Sequence, residues 1–278
     1  MTIMRTFFLF HDVPCQYIKA DLAASQFPFD GFVVIQRRRA WWGEYLWKRA
    51  RRVGLAKLID ELLFRAYWLV FRAASDHRQL NVLLGEAKRK IPASYARPPV
   101  YRIHNINSTK GQARLRELAP DACVLMVHPI LSSKTFTIPP LGMLVFHPGV
   151  TPEYRGPHSA FWATLNNEFW GIGWSLLRVD KGIDTGPVLA QGSCYGARPL
   201  EESHVIMQHR SHLDGIPAVL DVLRKLEQGQ HPRTPMMNRR STNYTHPGIT
   251  DYLKLRKFLA KLRAGQAPPG NPKPEGVL

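Results

Sequence analysis

The sequence predicts an α/β fold: a Rossmann-like, mostly parallel sheet flanked by helices, then a small, mainly helical C-terminal extension and a disordered tail. Three observations point there. Ala122 to Val127, in "DACVLMV", is a continuous apolar run, as in a strand buried on both faces. Strand-like and helix-like runs alternate through the middle of the chain, the order that lays helices over a parallel sheet. A chain of 278 residues with 45% hydrophobic content can fill one large domain, or a large domain with an appendage.

Taken in order, Thr6 to Phe10 and Phe32 to Gln36 read as short buried strands. From Tyr45 to about Ser75, apolar residues recur at helical spacing: Leu55, Leu58/Ile59, Leu62/Leu63, Ala66, Leu69/Val70. This is one long helix, or two with a break at Gly54. Asp76 to Lys90 reads as a further helix, and the three prolines of "IPASYARPP" make that stretch a loop. "VYRIHNINS", from Val100, is a strand with a polar end. "STKGQARLRELAP" is a helix with Ser108 or Thr109 as its cap. After "DACVLMV" comes a turn-rich connection, and Met143 to Phe146 is the next strand. Open sheets of this kind bind ligands outside the carboxyl ends of their strands. Asn105, Asn107, His128 and His147 all stand at predicted strand ends and therefore on one rim.

Beyond that rim, "HSAFWATLNN" is a short helix, and "GIGWSLLRV" and "PVLAQGSCY" are strands. Glu201 to Gly229 is mainly helical, and a basic helix begins near Thr250. The Pro- and Gly-rich end reads as disordered from about Gly265. The expected division is an α/β domain over 1–200, with a basic helical segment at 37–90, a helical extension over 201–264, and a tail over 265–278.

The formal net charge is +17. Part of it lies in "RRRAWWGEYLWKRARR", Arg37 to Arg52, where seven basic residues stand against Glu44. Such a block suits nucleic acid, an anionic membrane surface or a phosphorylated substrate, or it is the solvated face of a helix. Trp41, Trp42 and Trp47 suit either a membrane interface or packing. No zinc-finger, RNA-recognition or helix-turn-helix signature accompanies the charge, so nucleic acid is not favoured. No apolar stretch approaches the ~20 residues of a membrane span. Cys15, Cys123 and Cys194 are scattered and odd in number, which fits a reducing, cytoplasmic setting. Cys194 reads as a buried thiol. His209 and His212 share a helical face near His204, but no third ligand is spaced to join them, so no metal site is expected and the group is read as solvent-facing. Neither G-x-G-x-x-G nor a P-loop is present.

"HPGVTPEYRG" and "DKGIDTG" carry the chemistry. His147 follows a strand and precedes Pro148, which holds it extended. Asp184 stands between Gly182 and Gly186, which permit a tight turn near a ligand. A carboxylate beside the imidazole orients it and favours its protonated form, and the pair can relay protons. Glu153, Tyr154 and Arg155 lie on the loop after His147, as contacts to an acceptor or as scaffolding, with Arg155 suited to a phosphate or carboxylate. His158 either approaches the same site or only begins the next helix.

The string resembles the folate-dependent formyltransferases, among them glycinamide ribonucleotide, methionyl-tRNA and amino-sugar transformylases. "HPGVTPEYRG" and "DKGIDTGPVLAQ" match that family's pattern at His147, Pro148, Pro152, Tyr154, Gly156, Asp184 and Gly186. The match runs well from about Val100 to Gln191 and poorly over the first hundred residues. It implies 10-formyltetrahydrofolate as the formyl donor. Its pterin would lie against His128, Pro129, Ile130 and Leu131, over Val145, and beside Val179, Asp180 and Gly182 on the loop to Asp184. His147 and Asp184 inherit the catalytic roles, the His stabilising an oxyanion and the Asp managing protons. Tyr154, Arg155 and His158 would face the acceptor. A small-molecule amine is expected there, such as an amino sugar or natural-product intermediate, anionic or nucleotide-linked. A methionyl-tRNA is the alternative, against which the helical C-terminal region is short for the β-barrel those enzymes add.

One departure is plain. The family's Asn two residues before the His is Val145 here, which donates no hydrogen bond. Either another donor (Asn105, Asn107, His128 or His158) reaches the point, or the reaction is slow or varied, or the folate-like cleft is kept without transfer.

Overall fold

The computed structural model describes residues 4–36, 42–126, 130–236, 238–266 and 270–278. The first unit is β1 (Thr6–His11), α1 (Pro14–Ala24) and β2 (Gly31–Ile35), a β-α-β unit whose strands carry the apolar runs Phe7 to Phe10 and Phe32 to Ile35, buried on both faces. Three helices follow: α2 (Trp42–Val53), α3 (Leu55–Phe71) and α4 (Ala73–Arg89). The break between the first two falls at Gly54, where φ is 84°. β3 (Val100–Ile103) is shorter than expected, because the polar residues after Ile103 leave the ladder. Ser108 caps α5 (Thr109–Glu117), its hydroxyl accepting from the Gly111 N–H at 3.1 Å. β4 (Ala122–Leu125), the short α6 (Ser133–Phe136) and β5 (Gly142–His147) lead to the candidate site.

After it come α7 (Ser159–Leu165), β6 (Gly173–Arg178), β7 (Val188–Ser193), α8 (His204–Glu227) and α9 (Ile249–Arg263). The seven strands lie in the order β3-β2-β1-β4-β5-β6-β7. The first five are parallel, and β6 and β7 are antiparallel additions at one edge. The α/β fold with a mostly parallel, helix-flanked sheet is therefore the one the sequence predicts.

Two features differ from expectation at the C-terminal end. The helix α8 is built into the α/β body: Ile216, Val219, Leu220 and Leu223 join the main core. It approaches the sheet over Gly215, where a Cβ would come within 2.6 Å of the Trp174 ring and 2.9 Å of Phe146. The tail expected to be loose also returns to the body. Leu278 accepts from the Ser193 N–H at 2.8 Å, extending the edge beyond β7, Val277 is buried, and the Asn271 carbonyl accepts from the Trp170 indole at 2.9 Å. Polar composition is a poor guide there because backbone pairing supplies the contacts.

Candidate active site

His147 ends β5, and alternation along the strand puts it on the same face as Val145, with Phe146 on the other. The imidazole is buried. Its Nε2 lies 2.9 Å from the Tyr154 carbonyl oxygen. A carbonyl can only accept, so Nε2 carries a hydrogen and donates. Nδ1 makes no hydrogen bond and faces the Asp184 carboxylate, with Oδ2 at 3.6 Å.

The loop that turns the Tyr154 carbonyl onto His147 is closely fixed. The Ser175 hydroxyl donates to the Gly149 carbonyl at 2.8 Å and accepts from the Thr151 N–H at 3.0 Å. Ser159 Oγ donates to the Pro148 carbonyl, and the Thr151–Pro152 bond is cis. Gly149 has no alternative here. A Cβ would lie 2.5 Å from that of Ser159 and 2.9 Å from His147 Nε2.

Asp184 comes from the β6–β7 turn and sits at φ 51°, in the left-handed region. Its Oδ2 accepts from the Gly156 N–H at 3.1 Å, so the two loops are tied together at the carboxylate. Arg155 adds a second tie, donating through Nη1 to the Ile183 carbonyl at 3.2 Å. Within the turn, Asp180 Oδ1 accepts from the Gly182 N–H at 2.9 Å and from the Thr185 hydroxyl at 2.7 Å. Such an Asx turn holds the loop without outside contacts.

These loops wall one cavity over β4, β5 and β6. Ile130, Leu131, Val145, Val179, Asp180 and Gly182 line it together with Asp184. Leu125, Leu177, Lys181, Ile183 and Thr185, which sequence reasoning did not single out, complete it. Asp184 is part of the wall, and His147 stands behind it. The apolar strand face offers a flat floor, and the turn supplies carboxylates, a lysine and backbone groups at the rim.

A protein-family model described as formyl transferase matches residues 56–220, more than half of the chain. The chain belongs to the formyl transferase family. It is similar to the methionyl-tRNA formyltransferase of Syntrophus aciditrophicus, 31% identical over 147 residues, which is 52% of this chain and 46% of that protein. Similarity to the methionyl-tRNA formyltransferase of Methylacidiphilum infernorum is 30% over 167 residues, 58% and 51% of the two chains. The chain thus spans about half the length of these curated relatives. In fold it is similar to a sugar N-formyltransferase from a Shewanella species, with a TM-score of 0.53 and 13% identity over 92% of this chain and 88% of that one. It is also similar to glycinamide ribonucleotide transformylase 1 from Symbiobacterium toebii, with a TM-score of 0.51 and 16% identity over 88% and 96%.

The family match begins within α3 and ends within α8, so it includes β3 through β7 and both His147 and Asp184. It reaches well ahead of Val100, where the motif resemblance was expected to start. Of the residues expected to meet the pterin, six line the one cavity. His128 and Pro129 lie outside the described residues.

The residues expected to meet the acceptor are placed otherwise. Tyr154 is fully buried; its hydroxyl donates to Glu168 and its ring stacks on Tyr244 at 5.5 Å. Burial first, and then the Glu168 hydrogen bond, pushes its pKa up. The contribution of Tyr154 to the site is its carbonyl. Glu153 is buried in an ion pair with Arg239 at 2.6 Å. Arg155 is committed to the Asp184 turn. His158 faces a different cavity, with Nε2 3.1 Å from His246 Nδ1 and its ring 5.1 Å from that of His204. All four lie in a motif whose polar residues hold loops together, which residue type alone does not reveal.

Of the donors expected in place of an amide at Val145, Asn105, Asn107 and His158 stand outside the cavity lining, and His128 lies outside the described residues. Asn105 Oδ1 accepts from the Asn107 N–H at 3.0 Å. The Asn107 amide donates to the Ile130 carbonyl at 2.8 Å and accepts from the Ser132 N–H at 2.8 Å, which ties the loop after β3 to the cavity wall. Among the described residues, no Asn, Gln or His side chain lines the cavity, and Lys181 is its one cationic side chain.

His209 and His212 are not solvent-facing as expected. Burial above all holds His212 well below its ordinary pKa and brings His209 to about 3. His212 Nε2 donates to the Phe146 carbonyl at 3.0 Å, while Nδ1 accepts from the buried Lys19 ammonium at 3.2 Å. Cys194 is buried, as read from the sequence, and burial moves its pKa to about 11.

Proposed function

We propose that the protein is a folate-dependent N-formyltransferase, moving a formyl group from 10-formyltetrahydrofolate to an amine. The observation that carries this is the single cavity in which Val145, Val179, Asp180, Gly182 and Leu131 meet Asp184, with His147 directly behind the carboxylate. The donor is a substrate, consumed in the reaction. Its flat pterin suits the apolar floor of Leu125, Val145 and Leu177, and its polar edge suits the backbone groups of the turn.

The chemistry asks little of the protein beyond proton handling and charge. The amine nitrogen bonds to the formyl carbon, the bond from that carbon to the folate nitrogen breaks, and the amine proton passes to that nitrogen. Asp184 takes the proton from the attacking amine at the cavity wall, and His147 stabilises the carboxylate in its ionised form. Negative charge develops on the formyl oxygen. Lys181 is the side chain of the right sign on the cavity wall to meet it.

The names of the relatives favour an aminoacyl-tRNA amine as the acceptor over the small amine expected from the sequence, and the +17 charge suits an RNA partner. Val145 favours a second reading, in which the cavity binds folate but transfers the formyl group poorly. Isothermal titration with a stable 10-formyltetrahydrofolate analogue tests the binding common to both. Tetrahydrofolate release with methionyl-tRNA or amino sugars then separates them. Absence of analogue binding by the unmodified protein overturns the proposal; binding without release for every amine leaves the second reading in its place.

A further inference from the structure

The helix α3 wears its apolar stripe on the outside. At 100° per residue, Leu55, Ile59, Leu62, Leu63, Leu69 and Val70 fall within one sector of roughly 120° that contains no charged residue. These six are between 38% and 73% exposed. The opposite side of the helix makes the packing contacts. Phe64 is buried, Lys57 pairs with Asp251 at 2.7 Å, Glu61 pairs with Arg49 at 2.6 Å, and the Trp68 indole donates to Asp76 at 2.8 Å. A helix of a water-soluble body normally turns its aliphatic stripe inward, so this one is made for an apolar occupant.

The surroundings state the sign of that occupant. α2 joins α3 through Gly54 alone and exposes Lys48, Arg51 and Arg52. On the same helix Trp47 is 55% exposed, with the Arg51 guanidinium 3.8 Å over its ring. Aliphatic residues, a tryptophan and arginines on adjoining helices are the composition of an element that lies in a bilayer interface. No helix among the described residues is long and apolar enough to cross a membrane. A second copy of the chain is a poor occupant, because it would bring two arginine-rich surfaces together on a protein of net charge +17. Leu62 and Leu69 also edge a cavity of about 380 Å³, whose walls combine Leu58, Trp68 and Val205 with Glu61, Arg65 and the His158 cluster.

We infer that α2 and α3 seat the protein on an anionic bilayer surface, with the α3 stripe in the acyl boundary and Arg51 and Arg52 on the headgroups. This goes beyond the formyl-transfer reading and does not depend on it.

Flotation of the full chain with vesicles tests the inference. The protein is expected to float with vesicles of phosphatidylcholine and phosphatidylglycerol and to stay behind with phosphatidylcholine alone. Raising the salt should weaken binding, and Arg51→Glu with Arg52→Glu should lower it by at least ~5-fold per residue. Leu63→Glu with Val70→Glu should lower it more than ~10-fold even at low salt. These positions are exposed, so the fold survives, as circular dichroism checks, and Leu63→Gln with Val70→Gln repeats the test without new charge. Equal flotation of the stripe variants, or none with either vesicle, overturns the inference. So does a doubled mass by light scattering that Leu63→Glu returns to that of a single chain.

Discussion

Lowering the pH from 7 to 5 should destabilise the protein through histidines that the fold holds neutral. His204 is buried at the start of α8, and burial first, then the nearby Arg72 charge, brings its pKa from 6.5 to about 4. In the unfolded chain this imidazole takes up its proton as the pH falls below 6.5. In the folded chain it stays neutral to about 4. The unfolded state therefore binds more protons across that window, and stability falls as the pH falls. Between pH 7 and 5 this residue alone removes about 2 kcal/mol. His158, His209 and His212, lowered chiefly by burial, act with the same sign. Lys19, brought by burial to about 8, extends the rise in stability with pH into the alkaline range. The assay is urea unfolding at pH 7, 6 and 5, with His204→Gln beside the unmodified chain. The variant should lose about 2 kcal/mol of the difference between pH 7 and 5. An unfolding free energy that is flat over this range, or a His204→Gln variant with the full pH dependence, refutes the reasoning.

Four substitutions probe the site and its frame. Asp184→Asn keeps an oxygen for the Gly156 N–H but removes the carboxylate proposed as the base, so initial rates should fall by ~10²–10⁴ while analogue binding persists by titration calorimetry. Val145→Asn adds an amide donor beside His147 to the charge Lys181 offers and should raise kcat by ~10²–10³, read directly in turnover, and an unchanged kcat refutes it. Arg239→Met strands the buried Glu153 carboxylate and should cost ~3–5 kcal/mol in denaturant unfolding, most of it recovered when Glu153 is also made Gln. Gly149→Ala drives a methyl group against Ser159 and His147, so it should lower both the thermal midpoint and turnover.

The sheet was legible because its strands advertise themselves. Ala122 to Leu125 is apolar on both faces, and Ser108 marks the start of α5 by capping it. Six cavity residues were legible through motif position, since His147–Pro148 fixes the strand end and Gly182–Gly186 fixes the turn. The internal partners of the loop after His147 were not, because a polar residue in a loop looks the same whether it meets solvent, ligand or another loop. Glu153 and Tyr154 show this: their partners, Arg239 and Glu168, come from different parts of the chain, and only the fold brings them near. The C-terminal tail failed for a related reason. It is held largely by backbone groups, pairing with Ser193 and Gln191 and accepting from Trp170, and buries the single apolar side chain of Val277, too little to stand out in a Pro- and Gly-rich stretch. Nor did the helical spacing of α3 reveal which way the stripe faces, because periodicity gives an apolar face and not its direction.

What fixes His147 lies on both faces of β5. On the cavity face, the Tyr154 carbonyl holds Nε2 and the Asp184 carboxylate stands before Nδ1. On the other, the Lys19 ammonium donates to His212, and His212 donates to the carbonyl of Phe146, the residue between Val145 and His147. The Phe146 ring meets His212 at 4.9 Å beneath α8. A shift of this strand toward the cavity would break the His212 hydrogen bond to the Phe146 carbonyl, and one toward α8 would close on Gly215, where no space remains. The ring is therefore held in place from behind by Lys19 and His212, which lie on the side of β5 away from the cavity. A substitution at Val145 changes what the cavity offers while leaving that support intact, which makes it the cleanest place to ask whether the missing amide limits the chemistry.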